Sequence, residues 1–220
     1  MRNITKITSP QILVDRAEEW AQQFAANPNN TNRYRYRHAE IKARLVEETH
    51  GKCVYCESKI GHNTPGDTEH KVPTSVKEEL RFAWENLTIG CTECNRRKNA
   101  YFSGEKPFLD PYLVDVEARL DHFGPIVIWR AGDQAAEITV RILELHNDVR
   151  WPLLCRKIEK ISEINDLIAR IQSTNGDLKE VLRKDLERRT EISEEYSAMV
   201  KSLLGRGGAQ EAVPGQGPAA

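Results

Sequence analysis

The chain of 220 residues has no surplus of charge of either sign: 32 lysines and arginines stand against 33 aspartates and glutamates, a formal net charge of −1. That balance excludes a global positive field that would draw the protein onto polyanions, so any such contact must come from local patches. Residues 1–14 (MRNITKITSPQILV) lack an apolar stretch of signal-peptide length, and no later segment has the uninterrupted apolar run of a membrane span. The expected compartment is a reducing cytoplasm. Cysteine is scarce, at five residues, and four of the five fall in two close pairs. In a reducing compartment such pairs read as metal ligands rather than as a disulfide framework. No internal repeat is visible, and the length suffices for one domain or two small ones.

What is present alternates helical periodicity with one turn-rich stretch, which predicts an α+β, mainly helical fold. Ser9 and Pro10 signal a helix start, and apolar residues from Ile12 to Phe24 recur at helical spacing until Asn27 and Pro28, predicting a helix over 10–26. Tyr34, Ile41, Leu45 and Val46 share a face of a second helical stretch ending near Gly51. Between 53 and 102 the text is turn-rich, with candidate strands at 68–72 and 87–89 and a helix opening around Asn95. Residues 126–130 (IVIWR) predict a strand of a small hairpin. From Asp148 onward two long apolar stripes, broken at Asn175 and Gly176, predict a helical hairpin, and residues 205–220 read as a disordered tail. The expected organisation is N-terminal helices (1–50), a central core (51–106), a hairpin and helix packed on it (107–146), the C-terminal helical hairpin (147–204) and the tail.

Cys53-Val54-Tyr55-Cys56 and Cys91-Thr92-Glu93-Cys94 are two C-x-x-C knuckles separated by 34 residues, 57 to 90. Two knuckles supply the four soft donors that a tetrahedral zinc ion takes at about 2.3 Å. The alternatives are buried free thiols or a redox pair, and neither knuckle opens the helix of a βαβ unit as a redox motif would. Cys155 stands alone and reads as packing. The separation exceeds that of a compact zinc ribbon, so something is inserted between the knuckles. The insert carries Glu69-His70 before Pro73, then Asn86, and Asn95-Arg96-Arg97-Lys98 follows Cys94 directly. Neighbouring strand residues point to opposite faces, so Glu69 and His70 can serve one site only if the strand kinks at its end.

The order C-x-x-C, E-H-x-x-P, N-L, C-x-x-C-N-R-R-K resembles the HNH nucleases with a ββα-metal core, in the variant whose third signature residue is Asn. The resemblance implies that His70 is the general base, that Glu69 and Asn95 hold a catalytic Mg²⁺ or Mn²⁺, and that Asn86 braces the loop carrying the base. Phosphodiester hydrolysis needs a deprotonated water and neutralised charge, and an imidazole, a carboxylate and a carboxamide oxygen suit those tasks. Lys98, Arg97 and Arg96 are the expected phosphate contacts, with a solvated helix face as the plain alternative for the arginines. Glu69 stands where many members carry Asp, and His62, in the insert, is a further candidate ligand or a plain loop histidine.

Beyond the core, MRNITKI, GKCVYCE, F-L-D-P-Y and I-T-V-R-I-L-E-L-H-N are similar to the HNH subunits of Septu-type anti-phage systems and related retron-associated nucleases, although Thr74 stands where a lysine is usual. That resemblance implies an ATPase partner. The expected function is a metal-dependent endonuclease, with DNA the favoured substrate and RNA open. The rival reading is a non-catalytic zinc module or adaptor that binds nucleic acid or protein. The C-terminal stripes exceed what a small core can cover, and pack either on the N-terminal helices or on a partner. Arg33-Tyr34-Arg35-Tyr36-Arg37-His38 interleaves cations with aromatics as single-strand platforms do, or is half-buried helix.

Overall fold

The computed structural model describes residues 1–61, 66–105 and 107–210, the last five without their side chains. His62 and residues 211–220 lie outside them. Helix α1 (Gln11–Ala26) buries Leu13, Trp20 and Phe24 at helical spacing. Pro10 itself holds the N-cap position, and no side chain caps the helix. The single second helix expected before the first knuckle is instead three pieces: α2 (Asn30–Arg33), a 3₁₀ turn (Arg35–Arg37) and α3 (Ala39–Glu48). The break has a local cause, since Asn29 caps α2 and His38, in an extended conformation, caps α3.

Strands β1 (Asp67–His70) and β2 (Leu87–Gly90) pair antiparallel, with Glu69 opposite Thr88 and His70 opposite Leu87. Helix α4 (Thr92–Lys98) follows, so the order strand, loop, strand, helix is the one expected. Then come the hairpin β3 (Leu120–Phe123) and β4 (Ile126–Trp129), and α5 (Gln134–Ile142) capped by Asp133. Helices α6 (Trp151–Ser173) and α7 (Asp177–Arg188) form the C-terminal hairpin. The stripe expected to continue to Leu203 breaks at residues 189–196, and α8 (Ser197–Gln210) turns back onto β3. Of the two alternatives for this stripe, the N-terminal helices or a partner, Tyr196 and Met199 follow neither and pack into the main core, and α8 runs into the segment 205–220 that read as disordered.

Two apolar clusters result. One unites both knuckles with Val127, Val140, Leu143 and Met199. The other packs α1 and α3 onto β2 through Trp20, Ile41, Leu45, Leu87 and Ile89. Strand β2 is the shared wall, because all four of its residues are buried. No helix among the described residues is long and apolar enough to cross a membrane. Leu45 is fully buried. Leu45→Ala should therefore lower unfolding free energy by about 2–5 kcal/mol in urea titration, whereas Val14→Ala, 66% exposed, should change it by less than about 0.5 kcal/mol.

Candidate metal centre and nuclease groove

The knuckles meet. The four sulfurs of Cys53, Cys56, Cys91 and Cys94 lie within 4.8 Å of one another and all four residues are buried. The Cys56 and Cys91 sulfurs are 3.8 Å apart, the edge of a tetrahedron whose centre would lie about 2.3 Å from each thiolate, the zinc–sulfur distance. The residues thus fit one metal ion, and an all-sulfur tetrahedral set suits zinc. Cys91 also caps α4, its sulfur accepting from the Cys94 N–H at 3.4 Å. Cys155 sits apart on α6, half-buried.

Arg150 was not singled out by any sequence signal, yet its buried guanidinium donates to the Cys94 sulfur at 3.2 Å and lies 3.9 Å from that of Cys91. Burial works against its charge, but the facing thiols of Cys94 and Cys56 outweigh this and raise its pKa. Four thiolates around a divalent ion would leave two negative charges, one of which the buried Arg150 guanidinium offsets.

His70 ends β1. Its Nε2 lies 2.9 Å from the Arg81 carbonyl oxygen. A carbonyl only accepts, so Nε2 carries the proton and Nδ1 keeps the lone pair. The Tyr36 ring packs edge-on against the imidazole at 4.5 Å between centroids. Burial pushes the His70 pKa down to about 4, the hydrogen bond to Arg81 raising it and the charges of Arg81, Lys98 and Arg37 lowering it. Asn86 spans the loop between the strands: Nδ2 donates to the Val72 and Leu80 carbonyls at 2.9 and 3.3 Å, and Oδ1 accepts from the Val72 N–H at 2.8 Å. Backbone pairing of Lys71 N–H with the Asn86 carbonyl at 2.8 Å closes the same loop.

Strand alternation sends the Glu69 side chain to the face opposite His70. Its Oε1 accepts from Tyr55 Oη at 3.1 Å and pairs with Lys98 Nζ at 2.8 Å, while Oε2 is buried without a partner. Burial raises the Glu69 pKa, against Lys98 and Tyr55. A polar groove of about 210 Å³ is nevertheless lined by Glu69, His70 and Asn95 together. It lies beside β1, which among the described residues pairs with β2 alone. The unsatisfied Oε2 and the Asn95 carboxamide are oxygen donors of the kind a hard divalent ion accepts, so the residues fit such an ion.

The basic residues of α4 depart from expectation. Lys98 is only 2% exposed, and its ammonium is spent on Glu69 and on the His70 carbonyl at 3.0 Å. It is not the surface phosphate contact its spacing suggested. Arg97 is held by Glu93 and Glu144, and Arg96 by Glu93 at 3.0 Å.

With this geometry in place, residues 53–100 match the family model described as HNH endonuclease. The chain carries an HNH domain. Over 216 residues it is 24% identical to the Septu protein PtuB of Bacillus thuringiensis, covering 93% of this chain and 82% of that protein. It is 28% identical over 142 residues to the Septu protein PtuB of Bacillus mycoides (strain KBAB4), covering 50% of this chain and 48% of that one. The similarity to the first thus extends over nearly the whole chain, well outside the HNH domain.

Cys94→Ser should yield protein without stoichiometric zinc by elemental analysis. Arg150→Ala should keep the four thiols but release zinc to a competing chelator about 10–100-fold more readily, the usual range for a ligand's supporting partner. Equal zinc retention by Arg150→Ala would show that its contacts with the sulfurs do not support the ion.

Proposed function

We propose that the protein is a metal-dependent HNH endonuclease that hydrolyses phosphodiester bonds, DNA preferred, and acts as the cutting subunit of an anti-phage defence complex with an ATPase. The observation that carries the reading is the oriented imidazole: Nε2 is committed to Arg81, leaving Nδ1 as a base on a groove that Glu69 and Asn95 also line.

In this reading His70 Nδ1 takes a proton from water as the water oxygen forms a bond to phosphorus. The phosphorus bond to the leaving oxygen breaks in line, and that oxygen takes its proton from solvent. Burial keeps the imidazole neutral and ready. An arriving phosphate brings negative charge, which favours the imidazolium and strengthens the base when substrate is present. A divalent ion held by Glu69 and Asn95 would supply charge neutralisation at the phosphoryl oxygens. Asn86 holds the loop that follows His70, so it positions the base without touching substrate.

The defence role rests on the similarity to the Septu proteins, and a partner is further supported by the surface of the C-terminal hairpin. Trp151, Ile158, Leu178 and Val181 remain exposed there, which leaves apolar area for another chain to cover. The Lys98–Glu69 pair favours the rival, a non-catalytic zinc module, because it already neutralises the carboxylate.

Incubated with Mg²⁺ or Mn²⁺, alone and with the ATPase, the wild-type chain should cut plasmid DNA. His70→Ala and His70→Gln should cut at least about 10²-fold more slowly while keeping zinc and the thermal midpoint. Asn86→Ala should lower both rate and stability. Undiminished cutting by both folded His70 variants would remove the imidazole from the mechanism.

A further inference from the structure

With the basic end of α4 committed to Glu93, Glu144 and Glu69, and Lys71 paired to Asp110 at 2.9 Å, the groove needs another cation to receive a polyanion. Arg37 is exposed and, contributed by the 3₁₀ turn, lines the same groove as His70, Pro73 and Thr74. Its guanidinium stacks 4.4 Å from the Tyr34 ring centroid and 5.7 Å from that of Tyr36. Among the described residues it makes no ion pair, so its planar fork of donors is unspent while its orientation is already set by the rings. Tyr36 is the ring that packs on His70, so the stack joins the cation to the base through one aromatic side chain.

We propose that Arg37 is the phosphate-binding residue of the groove, gripping a backbone phosphate of the nucleic-acid strand that His70 attacks. The assignment rests on the nuclease reading and moves the phosphate contact from α4 to the turn between α2 and α3. It gives the Arg33–His38 run a function in one residue, with Tyr34 and Tyr36 as its support. The approach of the negative phosphate to Arg37 also brings it beside the imidazole that must gain a proton.

The test uses the full-length, zinc-loaded His70→Ala chain and fluorescein-labelled single- and double-stranded DNA and RNA oligonucleotides, with anisotropy read across a salt series. Adding Arg37→Ala should weaken binding about tenfold and reduce the slope of log K against log salt by about one. Arg37→Lys should restore the slope, and Arg96→Ala, whose side chain is held by Glu93, should change neither quantity. If His70→Ala binds and the wild type cuts, but Arg37→Ala leaves affinity and slope unchanged, the Arg37 assignment is wrong and the nuclease reading stands. If the wild type neither binds nor cuts any of the four substrates, the nuclease reading and the Arg37 assignment fall together.

Discussion

Four sulfurs from two segments far apart in sequence converge within 4.8 Å, and this convergence governs where the other groups can be. Cys53 and Cys56 anchor the stretch before β1, and Cys91 and Cys94 open α4, so one ion held by the four sulfurs would fix both ends of the insert that carries Glu69, His70 and Asn86. Asn95 follows Cys94 directly, and its place on the groove is set within one residue of a metal ligand. Arg150 ties the cluster to the start of α6, which extends the same constraint into the C-terminal half. A fifty-residue core of short strands and one short helix has little apolar area of its own. The flanking helices, packed through the shared wall of β2, add rigidity to this core, and an ion on the four sulfurs would add more.

Electrostatics divides the basic residues into two kinds. Lys98, Arg97 and Arg150 are buried or nearly so, each facing a carboxylate or a thiolate, and they hold the core together. Arg37 is exposed, stacked and without an acidic partner among the described residues. A near-neutral chain cannot attract nucleic acid through its total charge, so discrimination rests on which cations are spent internally and which face the groove. Glu69 stands between the two groups: one oxygen serves Lys98 and Tyr55, and the other is unsatisfied in a buried setting, where an unpaired acceptor is costly.

The cysteine cluster and the end of the first helix were readable from the residues alone because their signals are short in range. C-x-x-C spacing and the helix-stopping Asn27-Pro28 each lie within a few residues of what they determine. The features that escaped depend on partners distant in the chain. Lys98 has the spacing of a surface cation, and only the approach of β1 to α4 shows that it is buried against Glu69. Arg150 lies 56 residues from Cys94 and has no motif. The stripe from Leu178 to Leu203 is periodic enough for one helix, yet α8 gains more by turning back so that Tyr196 and Met199 enter the core. The split of the second helix is the exception, being local: Asn29 and His38 cap separate short helices, which overrides a shared apolar face.

The most direct measurement is the count of Mn²⁺ ions bound by the zinc-loaded chain, read by electron paramagnetic resonance during titration. The account predicts one tightly held Mn²⁺ per chain, lost in Glu69→Gln and in Asn95→Ala while zinc content stays at one. Mn²⁺ binding that survives both substitutions, or is absent from the wild type, would contradict the placement of a catalytic ion beside His70.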